Sequence, residues 1–142
     1  MHIRPAVHDD ASQIATLIGE LGYAISAALV GEKLAAMSEH GTDAVLVAAA
    51  DHHLLGCISL HALPLFHSAG RLGRITSFVV SATHRGQGIG AALLASSHAW
   101  FDSVGCIKSE ITSGHRRTAA HRFYQTHGYH REGQRLARKL RP

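Results

Sequence analysis

Residues 75–100 read Ile75-Thr-Ser-Phe-Val-Val-Ser81, Ala82-Thr-His-Arg-Gly-Gln-Gly-Ile-Gly90, Ala91-Ala-Leu-Leu-Ala-Ser-Ser-His-Ala-Trp100. A β-branched, apolar run is followed by three glycines at alternate positions, Gly86, Gly88 and Gly90, and then by apolar residues at helical spacing. The pattern predicts strand, loop and helix. Glycine lets the main chain turn tightly and lets a bulky ligand approach it. The first turn of the following helix presents unpaired N–H donors and the positive end of its dipole. Together these features bind phosphate.

Arg85-Gly86-Gln87-Gly88-Ile89-Gly90, preceded by Phe78-Val79-Val80, resembles the Arg/Gln-x-x-Gly-x-Gly/Ala signature of the GNAT N-acetyltransferases. Downstream, Ala120-His-Arg-Phe123-Tyr124-Gln-Thr-His-Gly128-Tyr129 is similar to a second segment of that family, in the same order along the chain. With the opening Ile3-Arg4-Pro5-Ala6 strand, the resemblance covers nearly the whole chain. It implies an α/β fold with a mixed, twisted central sheet of six to seven strands, about four flanking helices and a splayed strand pair at the cofactor site. It also implies acetyl-CoA as co-substrate and a primary amine as acceptor.

A dinucleotide fold competes for the same glycines, because Gly86-x-Gly88-x-x-Ala91 fits its fingerprint and Glu110 follows at about 20 residues. There the first glycine follows its strand closely and further βαβ units come after. Here Ser81-Ala-Thr-His-Arg85 intervenes, and too little chain remains for a half-sheet. No Gly-Lys-Ser/Thr follows, which removes a P-loop.

One domain spanning residues 1–142 is expected from the length, with a core that needs neither disulfide nor metal. No apolar run is long enough for a membrane span and no signal segment is evident, so a cytoplasmic location is expected. Cys57 and Cys106 read as small buried hydrophobes. The 13 histidines follow no metal-ligand spacing, so no metal is expected. Residues 1–84 hold four Lys/Arg against seven Asp/Glu, and residues 85–142 hold ten against three, within a net charge of +4. The basic half suits a polyanion. Coenzyme A is one, and nucleic acid is the rival. The basic tail lacks aromatics beyond Tyr129 and reads as a solvated edge.

Along the chain, Met1 to Val7 reads as a strand. Asp10, with Gln13 in capping-box position, opens a helix ending at Gly22, and Ser26 to Ser38 forms a second helix that Gly31 weakens. Ala44 to Ala50 and Leu54 to Leu60 form a hairpin around Asp51-His52-His53, and Pro64 to Gly73 is a loop. Ile89, Leu93, Leu94, Ser97, Trp100, Phe101 and Val104 make a core-facing stripe. Ile107 to Thr112 is a strand, a helix runs from about Arg117 to His127, and two strands close the chain, Tyr129 to Glu132 and Gln134 to Leu140.

By the resemblance, the amides from Arg85 to Ala91 (Arg85, Gly86, Gln87, Gly88, Ile89, Gly90, Ala91) hold the pyrophosphate. The backbone of Phe78, Val79 and Val80 pairs with the pantetheine arm as an added strand would, beside a splaying bulge. The Val80 N–H meets the developing oxyanion, and Tyr124 protonates the departing thiolate. Glu110 leads the candidate bases, ahead of Glu20 and His61, with ordered water as the alternative. Arg117 stands where the family often has Asn, and with Arg116 and Arg122 it is placed to reach a phosphate. A cationic acceptor is hinted by the acidic N-terminal half. Small-molecule and protein amines both remain open, as does a homodimer formed through the C-terminal strands.

Overall fold

The computed structural model describes residues 1–112 and 118–142. They fall into two compact units, Met1–Thr112 and Ser113–Pro142. The first holds β1 (His2–Pro5), α1 (Ala11–Glu20), α2 (Ala27–Ser38), β2 (Asp43–Ala50), β3 (His53–Pro64), β4 (Arg71–Val80), α3 (Ile89–Ser103) and β5 (Cys106–Ile111). The second holds α4 (Thr118–Thr126). One open sheet runs β1-β2-β3-β4-β5. The first three pairings are antiparallel and β4–β5 is parallel, as required when α3 carries the chain over the sheet between them.

The expected six to seven strands are corrected to five among the described residues. Neither Tyr129 to Glu132 nor Gln134 to Leu140 is a strand. In the second segment Leu136, Ala137 and Leu140 do not alternate with the polar residues, so the segment offers no single apolar face. Leu136 and Leu140 are 90% and 87% exposed. The expected loop from Pro64 to Gly73 shortens to residues 65–70, because Leu63 and Pro64 pair with Leu72 and Arg71.

α1 and α2 cover one sheet face, where Ile14, Leu17, Val30, Val47, Cys57 and Val79 form a buried cluster. On α3, Ile89, Leu93, Leu94, Ser97 and Phe101 are buried, and Ser97 Oγ donates back to the Leu93 carbonyl at 2.8 Å. Gly73 of β4 lies against α3: a Cβ there would fall 2.6 Å from the Phe101 ring. Gly31, which weakens α2 by propensity, has a similar reason. A Cβ would come within 2.9 Å of the His8 imidazole.

Two polar side chains fix the start of the chain. Asp10, only 6% exposed, accepts from Arg4 Nη1 at 2.7 Å and Nη2 at 2.9 Å, and from the Val7 N–H at 2.8 Å. The Arg4 hydrogen bond, with the Val7 N–H and the Arg4 charge, holds its carboxyl below the usual range against the opposing effect of burial. Gln13 does not form the expected capping box. Its amide spans to the β2–β3 turn, donating to His52 O at 3.0 Å and accepting from Leu54 N–H at 2.8 Å. Ser26 caps α2, accepting from Leu29 N–H at 3.1 Å.

Candidate active site

The glycine loop follows a short 3-10 turn, Ala82–His84. Gly86 and Gly88 hold φ of +78° and +79°, and Gly88 is the N-cap of α3. A side chain is disfavoured at such φ values. A Cβ built on either glycine meets no heavy atom within 4 Å, so the approach to this main chain is open. Ala92 N–H donates to Gly88 O at 3.1 Å, closing the first helical bond. Among the described residues, no main-chain N–H from Arg85 to Ala91 donates to another protein group. These donors gather at the positive end of a 15-residue helix, a setting that favours an anion. Arg85 and Gln87 are exposed, whereas the Ile89 side chain is buried and anchors the turn. Glu20 has a structural task that sequence gave no sign of: its Oε1 accepts from Ala82 N–H at 2.9 Å, tying the end of α1 to this turn.

The strand before the loop is irregular where the site requires it. Ser59 pairs with Ser77 and Leu60 with Ile75, so Thr76 is an extra residue on β4. At the same level the parallel ladder with β5 makes its last pairing, Ile75 with Ile111, and residues 76–80 continue against β3 alone in the ladder. Ser81 N–H donates to Leu55 O at 2.8 Å, which makes residues 55 and 81 a hydrogen-bonded pair. The alternation of an antiparallel ladder then makes Gly56/Val80 the non-bonded kind. The Val80 N–H and C=O therefore point away from β3, toward the side that β5 has left. Val79 presents its backbone to β3 and its side chain to the core. Phe78 is half-buried.

The bulge also sets Thr76 and Ser77 on the sheet face that carries Ser59 and His61. Between this face and α1/α2 lies a cavity of about 210 Å³, with apolar walls from Ile14, Ile18, Ile25, Leu34 and Met37 and a floor that includes Ser59, His61, Thr76 and Ser77. Across the floor the register aligns Asp43, His61, Arg74 and Glu110 on four neighbouring strands. The row divides into two pairs. Asp43 Oδ1 lies 2.9 Å from His61 Nδ1, and Arg74 Nε donates to Glu110 Oε1 at 2.8 Å with Nη2 on the same oxygen. Glu110, 40% exposed, is thus a carboxylate held by a guanidinium. A second depression, of about 240 Å³, between α3 and β5 holds none of these groups.

In the second unit, Tyr124 is half-buried on α4. Its ring lies 5.6 Å from Phe123 and 6.0 Å from Tyr129 between centroids. Gly128, at φ +90°, turns the chain back after the helix, and Tyr129 N–H reaches Tyr124 O at 2.9 Å. Arg117, expected near the cofactor, lies outside the described residues together with Arg116. Cys57 is buried, which pushes its thiol up to about 12, and Cys106 is half-buried.

Residues 17–129 match the model of the Acetyltransferase (GNAT) family. The chain belongs to this family. The GNAT chain is 36% identical over 87 residues to the aminoalkylphosphonate N-acetyltransferase of Salmonella typhimurium, an alignment covering 61% of this chain and 56% of that protein. It thus spans little more than half the length of this curated relative. Two solved structures share its GNAT fold at low identity. An acetyltransferase from Trypanosoma brucei superposes with a TM-score of 0.83 at 24% identity, over 98% of this chain and 99% of that one. A protein described as a transcriptional regulator from Bacillus halodurans gives 0.87 at 19% identity, over the same shares. No helix among the described residues is long and apolar enough to cross a membrane.

Proposed function

We propose that the protein transfers the acetyl group of acetyl-CoA to a small primary amine held in the cavity between α1/α2 and the sheet, and that both units act as one domain, since the family match spans them. The observation that carries this reading is the concentration of undonated main-chain N–H groups from Arg85 to Ala91 at the start of α3, directly after a strand whose Val80 amide points away from its neighbour. The residues fit the cofactor: the open approach at Gly86 and Gly88 would be filled by any Cβ. Bound acetyl-CoA supplies an activated acyl group on a sulfur leaving group.

In this reading the loop amides, with Arg85 beside them, hold the diphosphate, and the backbone of residues 78–80 holds the extended arm. Ser77 belongs to the cavity lining, so the strand that aligns the thioester also borders the acceptor. The Val80 N–H stabilises charge on the carbonyl oxygen, an effect that preorganised donors make large. Tyr124, whose phenol ordinarily titrates near about 10, protonates the leaving thiolate. Glu110, already engaged by Arg74, serves to neutralise that cation rather than to take the amine's proton. Glu20 is committed to Ala82 N–H and, among the described residues, the cavity lining carries no carboxylate, so the acidic character of the N-terminal half does not translate into an acidic acceptor site. The lining is apolar and includes Lys33. It suits a small amine with an apolar body or an anionic substituent, such as the aminoalkylphosphonates named for the Salmonella relative.

The test is release of free thiol from acetyl-CoA across a panel of alkylamines, arylalkylamines, aminoalkylphosphonates, polyamines and a lysine peptide. Amine-dependent release with matching N-acetyl product by mass supports the reading. Tight cofactor binding without release from any amine would refute it in favour of an acyl-CoA-binding module.

A further inference from the structure

Four side chains form one hydrogen-bonded line, and three of them, Ser59, His61 and Thr76, lie on the cavity floor. His61 lies 2.9 Å through Nδ1 from Asp43 Oδ1 and 2.8 Å through Nε2 from Thr76 Oγ1. Thr76 Oγ1 lies 2.7 Å from Ser59 Oγ. The line depends on two features of the sheet. Asp43 and His61 are direct cross-strand partners, and the extra residue in β4 brings the Thr76 hydroxyl onto their face. An ionised carboxylate accepts only, so Asp43 assigns the proton to Nδ1 and leaves Nε2 as an acceptor for the Thr76 hydroxyl. A neutral imidazole held in this way takes up a proton at Nε2, and the carboxylate stabilises the cation that forms. Lys33 on α2, Arg74 on β4 and the buried Cys57 thiol are the other titratable groups nearby. Arg74 is neutralised by Glu110.

We propose that this line is the route by which the acceptor amine loses its proton, with His61 as the terminal proton acceptor, Thr76 as the relaying hydroxyl and Asp43 as a positioning residue. The proposal rests on the acetyl-transfer reading above. An alkylammonium is largely protonated at neutral pH, and freeing its lone pair costs about 4 to 5 kcal/mol for a pKa near 10.4. Donating to Thr76 Oγ1, the ammonium passes one proton to that oxygen while the hydroxyl proton moves to Nε2. The freed nitrogen attacks the thioester carbon, so the C–N bond forms and the C–S bond breaks. The second amine proton leaves as the amide forms, and the sulfur leaves as a thiol. His61 then returns its proton to water, so the balance is one amide, one thiol and one proton. The cavity, of about 210 Å³, fits a monoamine with a compact apolar body.

The probe is 2-phenylethylamine, compared with its β,β-difluoro analogue, an amine of the same skeleton made largely neutral by the fluorines. His61→Gln and Thr76→Val should each lower kcat/KM for the parent amine by about 10²-fold, in the range of general-base contributions. They should lower it less than about 5-fold for the fluorinated amine, which needs no base. Thr76→Ser, which keeps the hydroxyl, should restore most of the activity. Equal losses with both amines would mean a merely structural role and overturn the relay, leaving acetyl transfer intact. Absence of turnover with every amine in the unaltered protein would overturn both readings. A second measurement needs no cofactor. Long-range 15N–1H spectra of the imidazoles should show His61 as the Nδ1–H tautomer, shifted by 2-phenylethylamine, and Asp43→Asn should weaken that preference. An Nε2–H tautomer, or a His61 signal that the amine does not perturb, would overturn the proposal.

Discussion

Gly88→Asp separates the folding role of the glycine loop from its proposed role in binding. At φ +79° the position is left-handed, and a Cβ there meets nothing within 4 Å, so backbone strain is the only steric cost. That cost is about 1–2 kcal/mol for an L residue, and smaller for Asp, which is enriched among residues at positive φ. Gly88 is also the N-cap of α3, where a carboxylate near the helix N-terminus stabilises by about 0.3–1 kcal/mol. The two effects nearly cancel, so the free variant should keep its stability within about 1 kcal/mol. With an unfolding entropy of about 0.3 kcal/mol/K for a chain of this length, that is a Tm change of about 3 °C.

Coenzyme A tells a different story. At one hundred times its Kd a ligand adds about 2.7 kcal/mol, or about 9 °C on the same scale. Gly88→Asp should lose this shift entirely, because the new carboxylate occupies the loop amides and repels the diphosphate. Gly105→Asp is the control. It has a φ of +81°, equal free space and a place beyond the other end of α3, and it should keep the full shift despite a larger loss in the free protein, since its carboxylate meets the negative end of the helix. Differential scanning fluorimetry over a coenzyme A titration measures both. Equal coenzyme A shifts in the two variants would refute the assignment of the loop.

Three further outcomes are expected. Asp10→Asn, which breaks the two-pronged Arg4 contact at a buried carboxylate, should cost on the order of 2 kcal/mol in urea denaturation. In the unaltered protein the carboxyl is lower when folded than unfolded, so its contribution is complete above about pH 4 and is lost as pH falls through the folded value; stability that does not change between pH 5 and 2.5 would contradict this. Gly73→Ala forces a methyl against the Phe101 ring and should lower stability by about 1–3 kcal/mol, seen as a reduced urea midpoint with unchanged slope. Tyr124→Phe should cut kcat about 10²-fold with little change in coenzyme A affinity, and weakened binding at full turnover would exclude the phenol as the acid.

The glycine loop was legible because its chemistry is local: alternate glycines after an apolar run leave few backbone options, and Gly86 and Gly88 do adopt positive φ. The α3 stripe was legible for the same reason. The hydrogen-bonded floor was not, since Asp43, His61 and Thr76 meet only through strand register, and periodicity says nothing of register. A signal did exist in Thr76-Ser77, two adjacent polar residues that interrupt an otherwise apolar run. Gln13 misled because a capping-box spacing is met by chance, and a glutamine amide that completes the β2–β3 turn satisfies more groups there than at the helix start. The expected closing strands failed on composition: an extended Gln134 to Leu140 would put Arg138 between Leu136 and Leu140 on one face and Lys139 beside Ala137 on the other, so neither face is apolar enough to bury.

Thr76 gives β4 a change of phase. Before it, odd-numbered residues such as Gly73 and Ile75 look toward α3; after it, Ser77 and Val79 look toward α1 and α2. The odd-numbered positions of one strand thereby face α3 before the bulge and α1/α2 after it. Removing Thr76 would restore strict alternation and leave Ser77 and Val79 opposite Ser59 and Cys57, on the face they already occupy; what would be lost is the hydroxyl that joins His61 to Ser59. A β4 shortened by this one residue should therefore still fold, with a regular ladder against β3, while its floor loses a hydroxyl.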